Sequence, residues 1–220
     1  MGNLSSQLAL QIDRAVEILK AGGVIAFPTD TVYGLGSDAF NIGAVERIYR
    51  VKRRPRHLPL PVLLADLSQL ASIADSVPGI AQFLARRFWP GGLTLVLPKK
   101  SFLSDVITAG SDKVAVRVPD HVVPLALIRG LDAPVIGTSA NVSDEPSPVT
   151  AEEVERQLGG RIDLIIDMGK CPGGLESTVL DVTGSTPVIL RQGIIPEQEI
   201  KKACQEHARE VGKNAYCAGL

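Results

Sequence analysis

The sequence predicts an α/β fold built around a mixed sheet of about seven strands or more. Short apolar runs alternate with amphipathic stretches of helical period, as in chains whose strands are connected by helices. After Ile166 the helical stretches become sparse, which is not typical of a sheet whose strands are all parallel. The sheet is therefore expected to be mixed rather than purely parallel.

Each predicted strand is a short apolar or alternating run bounded by polar or turn residues. These runs cover residues 24–27, 61–65, 93–97, 113–118, 134–137, 164–166, 177–182 and 188–191. Residues 113–118 alternate with period two, so Val114 and Val116 share one face while Ala115 and Arg117 share the other. The small Ala115 leaves space beside the Arg117 guanidinium.

The predicted helices have apolar residues three and four positions apart and recognisable ends. They cover residues 8–19, 41–51, 67–74, 78–88, 150–158 and 196–211. Gly22 and Gly23 can end the first helix, and Asn41 can cap the second. Thr150 and Glu153 have the spacing of a capping box.

The length of 220 residues is typical of one large domain. Residues 1–200 are expected to form this domain, and residues 201–220 to be the end of the last helix with a frayed tail, without a second domain. The formal net charge of −1 argues against a surface that binds long polyanions. Six of the 23 basic residues lie within residues 47–56, which favours a small anionic ligand.

Cysteine content and hydropathy predict the compartment. Cys171, Cys204 and Cys217 are odd in number and form no CxxC pair, which argues against a disulfide framework or a zinc site. No apolar run reaches the length of a membrane span, and no signal-peptide core is present. We therefore expect a cytoplasmic protein without membrane association.

Three polar segments carry the candidate chemistry. Residues 28–36 (PTDTVYGLG) and residues 138–141 (TSAN) each follow a predicted strand, and residues 52–57 (KRRPRH) follow a predicted helix. Because strands deliver the residues that follow them to one edge of a sheet, these groups are expected to meet there. Cations with hydroxyl and amide groups favour phosphate and carboxylate ligands. Neither GxxxxGK[ST] nor GxGxxG occurs, so a P-loop and a Rossmann site are unsupported.

The basic segment also has a purely structural interpretation as a solvated helix end, where Lys and Arg interact favourably with the helix dipole. Pro55 and Pro59 favour the functional interpretation, because they would make the chain after the helix stiff and extended. Lys52 and Arg54 would then project to one side, where both could contact a triphosphate.

Arg117 and Arg191 end apolar strands and leave two alternatives open. Each could form a structural salt bridge, or each could bind an anionic group of a ligand. The three histidines, His57, His121 and His207, are scattered and lie near no nucleophile motif. We therefore expect chemistry based on positioning and charge neutralisation rather than on a covalent intermediate.

Six segments, in this order, carry a resemblance to a known family. They are Pro28-Thr29-Asp30-Thr31-Val32-Tyr33-Gly34-Leu35, Lys52-x-Arg54-Pro55, Val114-Ala115-Val116-Arg117-x-Pro119-x-His121, Ser139-Ala140-Asn141, Glu176-Ser177-Thr178-Val179 and Leu190-Arg191-x-Gly193. With them the chain resembles the YrdC-like family, the threonylcarbamoyl-AMP synthases of tRNA modification, in its short single-domain form. The resemblance implies a YrdC-like catalytic domain: an open, twisted mixed sheet flanked by helices, with a concave ligand cleft.

The resemblance also implies a reaction. Threonine and bicarbonate or CO2 would give N-carboxythreonine, whose carboxylate would attack the α-phosphate of ATP, giving threonylcarbamoyl-AMP and pyrophosphate. Mg2+ would accompany the nucleotide, held largely by phosphate and water. A separate transferase complex would then move the threonylcarbamoyl group to an adenosine of tRNA, and the chain itself could bind tRNA weakly.

Individual roles follow from the same resemblance. The implied catalytic residues are the Lys-x-Arg and Ser-x-Asn tetrad, Lys52, Arg54, Ser139 and Asn141. The implied threonine-binding residues are Thr31, Arg117, Thr138 and Ser177. The implied ATP-binding residues are Lys52, Arg54, Lys113, Ser139, Asn141, Ser147 and Arg191, and no residue is implied as a metal ligand.

Two positions depart from the family pattern, and other functions stay open. Many members have Asn where this chain has Leu58 and His where it has Leu63, so one contact to nucleotide and one near threonine are missing. The alternatives are an RNA-binding module, a protein that adenylates carbamoyl phosphate, and a family member without synthase activity. An aromatic content of 4% argues against the RNA-binding module.

Overall fold

The computed structural model describes residues 6–217, with side chains described to residue 212. The helices in this range are α1 Ser6–Lys20, α2 Ile42–Lys52, α3 Gly79–Phe88, α4 Asp105–Thr108, α5 Val122–Leu131, α6 Ala151–Leu158 and α7 Glu197–Cys217. The strands are β1 Ile25–Phe27, β2 Gly34–Gly36, β3 Val62–Leu63, β4 Leu93–Pro98, β5 Lys113–Arg117, β6 Val135–Ile136, β7 Thr138–Ser139, β8 Leu164–Ile165, β9 Thr178–Asp181 and β10 Val188–Arg191.

The predicted helix ends are largely confirmed. Asn41 caps α2 by accepting a hydrogen bond from the Ala44 amide at 3.1 Å, and Thr150 forms both bonds of its capping box with Glu153. The predicted helix over residues 67–74 is instead a 3-10 helix, Leu67–Ser72. The helix α7 continues into the segment predicted to fray, and the last three residues of that predicted tail lie outside the described residues.

The strands form two mixed sheets rather than the single sheet that the apolar runs suggest. The four-stranded sheet has the order β7-β2-β1-β8, and the six-stranded sheet has the order β10-β9-β4-β5-β3-β6. Both combine parallel and antiparallel pairs, which confirms the mixed character. The second sheet was not predicted because two of its strands, β2 and β7, are made of the glycine-rich and hydroxyl-rich motif residues themselves.

The two sheets meet at Gly137. This residue alone separates β6, an edge of the larger sheet, from β7, an edge of the smaller sheet. A Cβ atom at Gly137 would lie 2.3 Å from Cγ of Leu63, and one at Gly36 would lie 2.4 Å from the carbonyl oxygen of Ile136. Glycine is therefore required for this close approach, which brings the polar ends of both sheets to one cleft.

A buried apolar core holds these sheet edges in place. The helix α1 packs on α5, burying Leu8, Ile12 and Leu19 against Leu127 and other apolar residues. The helix α5 was not predicted, because its sequence VVPLALIRGL is apolar on nearly every side, so no polar face marks it as a surface helix. Within residues 6–217, no helix is both long and apolar enough to cross a bilayer.

Candidate active site

A single cleft of about 570 Å³ collects the predicted site residues. Ten of the eleven line it: Thr31, Lys52, Arg54, Arg117, Thr138, Ser139, Asn141, Ser147, Ser177 and Arg191. The volume falls in the range of small-molecule sites in proteins. Leu58 and Leu63 also line it, so the two departures from the family pattern face the same space.

Lys113 is the exception. Its ammonium nitrogen lies 2.9 Å from a carboxylate oxygen of Asp181, and it does not line the cleft. Lys113 begins β5 and Arg117 ends it, so the two are four steps of extended chain apart, about 13 Å. The ATP-binding role implied for Lys113 is therefore not supported by its position.

Lys52 ties the end of α2 to the turn at residues 139–141. Its side chain is buried, and the ammonium donates to the backbone oxygens of Ser139 and Asn141, the latter at 2.8 Å. It also contacts Oδ1 of Asn141 at 3.1 Å. Burial and, to a smaller extent, Arg54 lower the pKa of Lys52 to about 7, while Glu176 opposes the shift. The tetrad is thus partly held together by its own lysine.

Arg54 reaches the cleft by a different route from the one predicted. The prediction of an extended chain was wrong, because Lys52 is the last residue of α2 and Arg53 has a left-handed conformation with φ 52°. The chain then folds back, and Arg54 donates to the backbone oxygens of Leu58 and Pro59 at 3.2 and 2.9 Å. These bonds fix the direction of the guanidinium.

Arg117 forms the salt bridge that sequence reasoning left open, and it also lines the cleft. Its guanidinium donates to Asp30 at 2.6 Å, to the hydroxyl of Thr31 at 2.9 Å and to the carbonyl oxygen of Gly91 at 2.8 Å. An arginine held on three sides in this way is preorganised, and three of its five N–H groups are used in these bonds. The remaining donors can bind a ligand carboxylate.

Ser177 and Arg191 also line the cleft, and they contact each other. The guanidinium of Arg191 donates to the carbonyl oxygen of Ser177 at 3.0 Å and to its hydroxyl at 3.1 Å. The Ser177 hydroxyl also lies 2.8 Å from the hydroxyl of Thr94. A group implied for ATP and a group implied for threonine are therefore in direct contact.

Glu176 is a functional candidate that sequence reasoning missed. It lines the cleft, and its carboxylate accepts hydrogen bonds from Arg191 and from the hydroxyl of Ser147, the latter at 2.7 Å. Its place next to Ser177 in a motif segment was the available signal, but an acidic residue is not expected among groups that bind anions.

Comparison with known proteins assigns the chain to a family. The Sua5/YciO/YrdC family model, described as telomere recombination, matches residues 17–193. The chain belongs to the Sua5/YciO/YrdC family. It is 48% identical over 192 residues to a threonylcarbamoyl-AMP synthase of Bacillus subtilis, covering 87% of this chain and 56% of the relative. A threonylcarbamoyl-AMP synthase of Pyrococcus abyssi is 45% identical over 207 residues, covering 93% and 61%.

The family likeness extends to three dimensions. The crystal structure of Pyrococcus abyssi Sua5 complexed with L-threonine superposes with a TM-score of 0.86 and 46% sequence identity. That comparison covers 88% of this chain and 57% of the Sua5 chain. This chain therefore spans somewhat under two thirds of the length of these Sua5/YciO/YrdC relatives.

Proposed function

We propose that this chain synthesises threonylcarbamoyl-AMP from threonine, bicarbonate or CO2, and ATP, with release of pyrophosphate. The observation that carries the proposal is the gathering of two kinds of anion-binding group in one cleft. Arg117, with Thr31 and Ser177, suits an amino acid carboxylate and hydroxyl. Arg54 and Arg191, with the hydroxyl groups of Ser139 and Ser147, suit phosphate oxygens.

The proposed chemistry begins when the threonine amine adds to CO2 and loses a proton, giving N-carboxythreonine. A carbamate oxygen then attacks the α-phosphorus of ATP, the bond from that phosphorus to the bridging oxygen breaks, and its electron pair leaves with pyrophosphate. Arg54 and Arg191 would offset the growing negative charge on the leaving group. Lys52 would hold the Ser139–Asn141 turn in position.

Mg2+ would reach the cleft with the nucleotide. Among the residues that the structure describes, no group of three or more His, Cys, Asp or Glu side chains could hold a metal ion. The ligands of such an ion would be mostly phosphate and water oxygens, as is usual for nucleotide-bound Mg2+. Bound there, it would help to neutralise the phosphate charge.

An RNA-binding role receives less support from the basic segment. Arg47 pairs with Asp163, Arg56 pairs with Glu46, and Lys52 is buried. The cluster therefore presents less free positive charge than its sequence suggests, and phosphate contacts from such charge dominate nucleic-acid affinity. We propose that a separate transferase carries the product to tRNA, and weak tRNA binding by this chain stays a prediction, as does a cytoplasmic location.

The test is pyrophosphate release by the purified protein from ATP and Mg2+, with threonine and bicarbonate each omitted in turn. The proposal expects release that needs both co-substrates, together with threonylcarbamoyl-AMP identified by mass spectrometry. Release that is independent of threonine, or its absence while ATP still binds, would contradict the synthase activity and favour a family member with another acceptor.

Nucleotide binding is also expected to take up a proton at pH 8. With its pKa at about 7, Lys52 is mostly neutral at that pH in the free protein, and nearby phosphate charges would raise its pKa and favour the ammonium. The binding enthalpy of ATP should therefore differ between buffers of different ionisation enthalpy. Lys52→Met should abolish the difference, whereas Lys99→Met, outside the cleft lining, should keep it. Equal enthalpies for the wild-type protein would refute this titration.

A further inference from the structure

Glu176 occupies the point where donors proposed for the nucleotide converge. Its carboxylate accepts a hydrogen bond from the hydroxyl of Ser147 at 2.7 Å and another from the guanidinium of Arg191. The side chain is 30% exposed, so it lies in the wall of the cleft and not beneath it. Two groups that suit a phosphate oxygen are thus already bound to an anion of the chain itself.

The charge on Glu176 is stabilised by these same neighbours. Burial alone would raise the pKa of its carboxyl, but Arg191 and the hydroxyls of Ser147 and Ser139 outweigh burial and hold the pKa below its ordinary value. Lys52 acts in the same direction. Glu176 is therefore ionised at neutral pH and competes with any incoming anion for these donors.

The donor inventory makes this competition direct. A serine hydroxyl can donate one hydrogen bond, and Ser147 donates it to Glu176. Three of the five N–H groups of Arg191, on Nε and Nη2, donate to Ser177. The other two are on Nη1, and one of them donates to Glu176. A phosphate oxygen can accept the hydrogen bond of Ser147 only if the hydrogen bond between Ser147 and Glu176 is broken.

We propose that Glu176 is an internal counter-anion that occupies a phosphate subsite formed by Ser147 and Arg191 and is displaced when a polyphosphate binds. The inference rests on the proposed function for the identity of that polyphosphate, the nucleotide or its pyrophosphate product. In the free protein the carboxylate keeps both donors aligned. As pyrophosphate leaves, its return to the same donors lowers the affinity for the product.

The test is the affinity of the purified protein for inorganic pyrophosphate, measured by calorimetry in the presence of EDTA, so that no metal can bridge the two anions. Glu176→Gln keeps the size of the side chain and can still accept from Ser147, but it lacks the charge. We expect it to bind pyrophosphate about tenfold more tightly than the wild-type protein, the scale of one hydrogen bond to a charged group. Glu176→Ala is the second variant, and circular dichroism checks the folding of both.

Two controls separate displacement from a general change in charge. Asp144→Asn removes one negative charge from the cleft lining without freeing Ser147 or Arg191. Glu152→Gln removes one from the exposed surface of α6. Both are expected to change the pyrophosphate affinity less than twofold, on the scale of exposed charge interactions. An equal gain in Asp144→Asn would overturn the proposal, because it would assign the effect to the overall field.

Unchanged or weaker binding in both Glu176 variants, or no pyrophosphate binding by any of the proteins, would also overturn the proposal. These outcomes are independent of the synthase assay. A wild-type protein that makes threonylcarbamoyl-AMP while Glu176→Gln binds pyrophosphate no better would leave the proposed function intact. Tighter binding by Glu176→Gln, in a protein without synthase activity, would support the counter-anion and reject the reaction.

Discussion

Lys52→Met is expected to lower the rate of pyrophosphate release at least about hundredfold, on the scale of losing a group that organises transition-state contacts. The ammonium of Lys52 donates to the backbone oxygens of Ser139 and Asn141 and to the Asn141 side chain. Methionine fills nearly the same volume but donates nothing, so three buried oxygens lose a partner. The turn that carries Ser139 and Asn141 should then move away from its position in the cleft.

The same change should lower the free energy of unfolding by about 2 kcal/mol, because leaving buried acceptors unsatisfied costs about 1–3 kcal/mol. Activity and urea unfolding measure the two effects separately. Lys99→Met is the matched control, since Lys99 is a largely buried lysine bonded to Asp105, Thr108 and the Leu103 carbonyl outside the cleft. It should lose stability but keep its rate under folding conditions. A wild-type rate in Lys52→Met would contradict the role of Lys52.

The candidate site could be predicted well where polar residues follow an apolar run. Thr31 follows β1, Ser139 and Asn141 follow β6, and Arg117 ends β5, so their meeting in one cleft follows from strand delivery and motif order. The period of two places Ala115 and Arg117 on the same face of β5, and both line the cleft. For these residues, the alternation along a strand and the position at a strand end were sufficient to predict that they meet in one site.

Other features depend on interactions that no local pattern contains. The strands β2 and β7 form because β2 pairs with both β7 and β1, although glycine and serine have little strand preference of their own. Arg53 adopts a left-handed conformation to end α2, and this is unusual for a residue with a side chain. Lys113 lies beside a position that matches the family, but its partner Asp181 lies 68 residues away in the sequence.

The role inferred for Glu176 is likewise a feature that no local sequence pattern predicts. The family resemblance implied that Ser147 and Arg191 contact a nucleotide, and it gave Glu176 no role. The carboxylate of Glu176 accepts hydrogen bonds from both Ser147 and Arg191. These contacts form only in the folded chain, where the segment before β9 lies beside the 141–149 loop and β10. Charge pairing across distant segments is a property of the fold and not of any window of the sequence.

Arg117→Met should abolish threonine-dependent pyrophosphate release, with a loss of at least about hundredfold, because the remaining guanidinium donors are the proposed clamp for the threonine carboxylate. Arg117 is also the partner of Asp30, and both side chains are largely buried, with exposures of 8% and 15%. Removing the arginine leaves the Asp30 carboxylate without its countercharge. The free energy of unfolding should therefore fall by about 3 kcal/mol, as for other broken buried pairs.

The two roles of Arg117 can be separated with Asp30. The double variant Asp30→Asn with Arg117→Met removes both charges, so it should recover part of the lost stability in urea unfolding. It should not recover threonine-dependent activity, because no guanidinium faces the cleft at that position. Recovery of both properties would mean that Arg117 serves only to neutralise Asp30, and the clamp for threonine would then have to lie elsewhere in the cleft. Arg117→Lys completes the set, since it keeps the charge but loses the planar fork, and should retain more stability than activity.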